Sequence, residues 1–274
     1  MVLSRTPVSP GPCSARPDAE QHPLVGGTAN RGRVVRMGST VVRPIAPCWP
    51  ATHALLAHLS AAGFAAPRVL GAGRTTETVS YIEGRAGVAP LPDEMLTDTA
   101  LVSIADLLHG YHRAAATFDP AGYRWPRAIP AAFTTGLVSH NDAHPANLVF
   151  RGDRAVGLID FDWAGPGSAA WDFASAARYW APLQPDRDIH DARQGRSLTR
   201  FRLLLQASGL SLVERRMVAE AIVANHDWTY AIVTEFAAAG HRGFADHWRA
   251  VAETAARARR WCLRHRRDLL AAAR

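Results

Sequence analysis

The chain of 274 residues contains no lysine; all 31 of its basic side chains are arginine. Contacts usually made by an ammonium, phosphate binding included, therefore fall to the planar guanidinium fork. Cysteine is almost as scarce. Cys13, Cys48 and Cys262 are odd in number and far apart, which argues against a disulfide framework or a zinc site. No apolar run approaches the roughly 18 residues needed to span a bilayer. The proline- and serine-rich N-terminus lacks the apolar segment of a secretory signal. A cytoplasmic protein with no membrane span is expected. A broad basic surface is missing too. The net charge is +7, but residues 257–274 alone hold seven arginines against Asp268, a local excess of +6. The basicity belongs to one C-terminal amphipathic helix, so no nucleic-acid partner is expected.

What the chain does have is concentrated in residues 137–173, LVSHNDAHPANLVFRGDRAVGLIDFDWAGPGSAAWDF. Asp142 is followed by Asn147 and then by Asp160, and apolar runs (LVF, VGLI) lie between the last two. Arg151-Gly152-Asp153-Arg154 has turn chemistry, so the segment reads as loop, strand, tight turn and strand, ending at Asp160. Such a hairpin brings Asn147 and Asp160 to one rim. A carboxylate and an amide oxygen are hard ligands of the kind magnesium takes.

These spacings resemble the catalytic and metal-binding loops of protein-kinase-like enzymes, most closely the aminoglycoside phosphotransferase family. His140-Asn141-Asp142 with Asn147 resembles the catalytic loop, Ile159-Asp160-Phe161-Asp162 the metal-binding strand end, and Trp171-Asp172-Phe173 the following helix start. The resemblance implies an α+β, two-lobed protein-kinase-like fold, with a small, mostly antiparallel β N-lobe and a larger helical C-lobe. It further implies Asp142 as catalytic base, Asn147 and Asp160 as Mg2+ ligands, and Asp172 as a brace for the catalytic loop. His144 is placed to approach the transferring phosphoryl group, His140 to support the loop, and Asp162 to stand as an acidic neighbour of the metal.

The remaining residues divide accordingly. Residues 1–20, rich in proline and poor in apolar groups, read as a disordered leader. Residues 21–86 read as an N-lobe with a nucleotide loop, a five-strand sheet and one helix. Gly26, Gly27 and Asn30 fall in the loop, where backbone amides can cover phosphates. Arg43 ends the third strand, where kinase-like enzymes carry a phosphate-binding lysine. The usual glutamate partner of that lysine, on the helix at 50–62, is replaced near His53, and Arg43 cannot form a salt bridge with a histidine. Tyr81 and Glu83 lie in a segment resembling the linker between lobes, whose backbone meets the adenine edge. Residues 87–274 read as the helical C-lobe. They include helices at 100–118, with Asp98 or Thr99 as cap, and at 171–181, 198–208, 212–239 and 244–273. A mobile surface loop is expected at 184–195. His109 and His112 read as structural. Asn225, His226, Asp227 and Glu235 line the substrate cleft or form a solvated face.

The function implied is transfer of the γ-phosphoryl group of ATP, or of GTP, to a hydroxyl group, with Mg2+. The acceptor is a small molecule, an antibiotic or natural product among them, or a Ser or Thr of a peptide. A body so near neutrality offers no evident acidic cleft for a polycation. A nucleotide-binding pseudokinase acting as a scaffold remains the alternative, motivated by the missing lysine and glutamate. Nothing in the sequence speaks to oligomeric state.

Overall fold

The structure, a computed structural model, describes residues 21–24, 28, 30 and 32–274. The expected leader and the loop positions Gly26 and Gly27 lie outside the described residues. The N-terminal part is an antiparallel five-stranded sheet of β1 (Gln21–Pro23), β2 (Val35–Met37), β3 (Thr40–Pro44), β4 (Val69–Ala72) and β5 (Thr76–Ser80), in the order β1-β2-β3-β5-β4. Val35 in β2 and the Val41–Val42 pair in β3 supply the β-branched surface of these strands. Gly38, at φ 59°, makes the turn between them. Helix α1 (Trp49–Ala61) carries Pro50 in its first turn and buries Leu55, Leu56 and Leu59.

The second part is mainly helical. It begins with β6 (Arg85–Ala86), the short α2 (Asp93–Leu96) and α3 (Asp98–Ala115), which buries Leu101, Ile104, Leu108 and Tyr111 along one stripe. The cap of α3 is Thr97, whose hydroxyl accepts from Ala100 N–H at 3.0 Å, and not Asp98 or Thr99 as expected. Asp98 is drawn instead to Arg196 and to the fully buried Arg200. Then come β7 (Leu137–Ser139), β8 (Leu148–Arg151), β9 (Arg154–Leu158) and β10 (Gly165–Gly167). β6, β8 and β9 form one sheet, and β7 pairs with β10. The β7–β10 approach is so close that a Cβ on Gly167 would lie 1.8 Å from Ser139 Oγ.

Five helices complete the chain: α4 (Ala169–Trp180), α5 (Ser197–Ala207), α6 (Leu212–Ala238), α7 (Arg242–Arg264) and α8 (Arg266–Ala272). α6 starts with a capping box between Ser211 and Glu214 and packs on α4 and α7. The glycines after α5 and α6, Gly209 and Gly240, take positive φ as helix stops do. Two expectations differ. The single helix at 244–273 breaks at His265, whose ring stacks on Trp261 and whose Nδ1 lies 2.9 Å from Trp261 O. That break turns α8 so that it buries Leu269 and Ala272. The segment at 184–195 is not a loose surface loop. Leu183 is buried just before it and Ile189 within it, and Arg193 donates to Asp191 and to Tyr179 O. Among the described residues, no helix is long and apolar enough to cross a membrane.

Candidate active site

The β8–β9 hairpin does what its sequence suggests. Leu148 pairs with Leu158, and Ile159 N–H donates to Asn147 O at 2.9 Å, so the residues on either side of the hairpin mouth meet. Asn147 Nδ2 donates both to Asp142 O and to Asp142 Oδ2, each at 2.9 Å, which leaves the amide oxygen of Asn147 unused by that clasp. Asp160 follows in the left-handed region at φ 63°, and Asn141 shares that conformation at φ 66°. Those are the two non-glycine residues with positive φ among the described ones, and both border the Asp142 loop. Backbone strain of this kind persists only where surroundings over-determine it. For Asn141 the surroundings are Ser139 Oγ, which donates to its Oδ1, and Trp163 O, which accepts from its Nδ2.

The loop is braced from below. Asp172, fully buried on α4, accepts from His140 N–H at 2.9 Å, from Asn141 N–H at 2.8 Å and from His112 Nε2 at 2.9 Å. His112 is thus structural, as expected, but acts through Asp172. His140 Nδ1 accepts from Asp142 N–H while its Nε2 donates to Ile159 O, tying the loop to the end of β9. His144 stands beside Tyr179, ring centroids 4.6 Å apart, and its Nδ1 accepts from Ala146 N–H. Burial lowers its pKa, the Asp142 charge opposes that, and His247 and Arg178 add to it. The imidazole is therefore neutral at pH 7, with its proton on Nε2.

Arg43 corrects the sequence reading. Its missing partner is not on α1 but directly across the sheet, where Glu77 of β5 is its cross-strand neighbour. Arg43 Nε donates to Glu77 Oε1 at 2.7 Å, and the other oxygen of Glu77 is held by His53. Nη1 reaches Asp160 Oδ1 at 3.2 Å, and Nη2 forms a 3.0 Å ion pair with Asp162 Oδ1, without hydrogen-bond alignment. Burial works against the Arg43 charge, but Asp162, Asp160 and Glu77 outweigh it and raise its pKa. Asp162 is pushed up to about 7, first by burial and then by the charge of Asp160, with Arg43 opposing. Two carboxylates thus converge where a single guanidinium balances them incompletely. Asp160 and the free amide oxygen of Asn147 are hard donors, and with Asp162 adjacent they fit a magnesium ion.

The expected nucleotide contacts are more dispersed. Asn30 accepts from Arg33, both through Oδ1 and through its carbonyl. Tyr81 lies under the Arg36 guanidinium at 3.7 Å, Glu83 pairs with Arg36, and Glu83 O accepts from Arg151. Tyr81 N–H is taken by Ser39 O. The structure does not bring these three into the Asp142–Asp160 cluster.

A matching family model, the phosphotransferase enzyme family (APH), covers residues 123–204, which include Asp142, Asn147, Asp160 and Asp172. The trifolitoxin immunity protein of Rhizobium leguminosarum bv. trifolii is 34% identical over 266 residues, 91% of this chain and 97% of that protein. This chain belongs to the phosphotransferase enzyme family. Homoserine kinase of Nitrobacter hamburgensis is 34% identical over 113 residues, 41% of this chain but only 31% of that enzyme. A choline/ethanolamine kinase family protein from Mesorhizobium loti shares the protein-kinase-like fold at 16% identity, with a TM-score of 0.60 over 94% of this chain and 93% of that one.

Within this family frame, two groups escaped the sequence. Glu77 carried a signal: in TETVS it shares the core face with Val79, and a carboxylate there calls for an opposite charge across the sheet. Arg178 and Tyr179 carried none, since an arginine and a tyrosine near a helix end are common. Of the four polar α6 residues, Asn225 and His226 are buried, whereas Asp227 and Glu235 pair with Arg259 and Arg127.

Proposed function

We propose that this protein is an ATP- and Mg2+-dependent phosphotransferase acting on the hydroxyl group of a small molecule. The observation that carries the reading is the clasp of Asn147 on Asp142, set on the same hairpin mouth as Asp160. Asp142, held by Asn147 through one carboxylate oxygen, is the base. The acceptor oxygen bonds to the γ-phosphorus, the bond from that phosphorus to the β–γ bridging oxygen breaks, ADP leaves, and the hydroxyl proton passes to Asp142. Asn147 and Asp160 would hold the magnesium, which neutralises charge on the phosphates when bound. Arg43 orients Asp160, and His144, neutral with a free Nε2–H, can donate to the moving phosphoryl group. Gly26, Gly27 and Asn30 are proposed to cover the phosphates, and Tyr81 and Glu83 to border the adenine.

The scaffold alternative loses one of its two motives, because Arg43 has its carboxylate in Glu77, while the lysine stays replaced by arginine. A second reading draws on the immunity protein that matches nearly the whole chain: the acceptor hydroxyl would belong to an antimicrobial toxin, and phosphorylation would protect the cell.

Thermal unfolding with ATP, with magnesium and with both is the direct test. Ligand at about 100 times its dissociation constant stabilises by about 2.7 kcal/mol, a rise of several degrees in Tm. The rise is expected only with both present, and it should vanish in Asp160→Ala. ADP formation with an acceptor should drop by about 10³-fold in Asp142→Ala, which keeps the ATP-induced shift. No shift under any condition would sink the proposal.

A further inference from the structure

Arg178 differs from the arginines of this fold that grip a carboxylate with the whole fork. Arg257 grips Asp188, Arg259 grips Asp227 and Arg193 grips Asp191, each through the paired Nε and Nη2 edge of the guanidinium. That edge is the fork that matches a carboxylate. Arg178, in the last turn of α4, spends only Nη1, which donates to Asn225 Oδ1 at 2.8 Å and to Thr229 Oγ1 at 3.0 Å. Its Nε and Nη2 make no aligned hydrogen bond to a carboxylate or carbonyl among the described residues; the neighbouring Tyr179 hydroxyl, a neutral group, is drawn to the guanidinium, and neither nitrogen is sealed from solvent as an orphan. No carboxylate of the described residues forms an ion pair with it.

Its surroundings place this open fork at the acceptor side of the proposed reaction. The guanidinium lies 5.2 Å from the ring of Tyr179 and 5.6 Å from that of Tyr230. Tyr179 in turn packs on His144 of the catalytic loop, and Tyr230 packs on His226 and Trp248. The charges of Arg178 and Asp142 both act on His144 and on Tyr179. Burial and Arg178 together hold His144 and His226 in the neutral form. These surroundings therefore carry one cation, aromatic faces and a bidentate edge that no carboxylate occupies, joined to the catalytic loop through Tyr179 and His144.

We propose that the acceptor is a hydroxyl-bearing carboxylic acid, its carboxylate seated on the Nε–Nη2 edge of Arg178 while its hydroxyl faces Asp142. This deepens the phosphotransferase reading and rests on it. A polycationic acceptor is disfavoured on the same ground, since it would meet Arg178 as a like charge.

The test is calorimetric titration of the full chain with matched pairs: 4-hydroxybutyrate and 4-hydroxybutyramide, L-homoserine and L-homoserinamide, glycerate and glyceramide. At least one acid should bind about tenfold or more tightly than its amide. That preference should collapse in Arg178→Gln, and largely in Arg178→Lys, which keeps the charge but loses the fork. A preference that survives both substitutions, a tighter fit for the amides, or no binding of any acid at about 10 mM would overturn the proposal. A fall in Tm of Arg178→Gln with an unchanged acid-to-amide ratio would also overturn it, reducing Arg178 to an anchor between α4 and α6. The ATP–magnesium shift, run on the same samples, keeps the two readings apart. Acid binding without that shift would defeat the phosphotransferase reading while leaving the anion seat. The shift without acid binding would do the reverse.

Discussion

Two arginines reach the candidate site from different parts of the molecule, and the fold treats them in opposite ways. Arg43, on the sheet, is enclosed by three carboxylates and has a side chain only 12% exposed. Arg178, on α4, is met by an amide, a hydroxyl and two aromatic rings. A guanidinium whose charge is cancelled inside the fold is a positioning device; it sets Asp160 and Glu77 and has little left for a ligand. One whose charge no carboxylate cancels retains the driving force to bind an anion. The lesson is that an arginine's role is read from its acceptors and not from its position in a motif.

The comparison can be broken most severely at Glu77, whose side chain is 1% exposed. Glu77→Ala leaves Arg43 and His53 without their shared acceptor, and breaking a buried pair from one side costs about 3 kcal/mol. A fall in Tm of roughly 5–10 °C is expected. Chemical denaturation should show the same loss, and a change below about 1 kcal/mol would mean that Asp160 and Asp162 already suffice for Arg43.

The opposite manipulation closes the open arginine. Asn225 is fully buried and its Oδ1 faces Arg178 at 2.8 Å, so Asn225→Asp would install the missing carboxylate. The fold should tolerate it. Acid binding should fall about tenfold, because the guanidinium charge is then satisfied internally, while the ATP–magnesium shift stays unchanged.

The smallest effect concerns Asp162. Its carboxyl keeps its proton up to about pH 7 in the fold, against an ordinary value of 3.8. Between those values the native state binds more protons than the unfolded chain, so stability without nucleotide falls as pH rises. Asp162→Asn should flatten that slope and raise stability at pH 8 by about 1 kcal/mol. Melting curves between pH 5 and pH 8 would show it; a steeper slope in the variant would place the raised titration elsewhere.

Much of the site was legible in the chain itself. The hairpin follows from two apolar runs around Arg151–Arg154, and its ends had to carry Asn147 and Asp160 together because antiparallel pairing leaves them no other place. Asp172 as a brace came from the family resemblance at the start of α4. Tertiary structure decided the rest. Glu77 is 34 residues from Arg43 in sequence and meets it only through the β3–β5 register, which no local pattern specifies. Thr97 caps α3 because Asp98 is drawn off by Arg196 and Arg200, about a hundred residues later in the chain. Arg178 owes its openness to an asparagine and a threonine on α6, where an aspartate would have closed it. Local chemistry and spacing determine which elements form and which groups end them. Which charge finds a partner, and which is left for a ligand, depends on long-range packing that only the folded chain establishes.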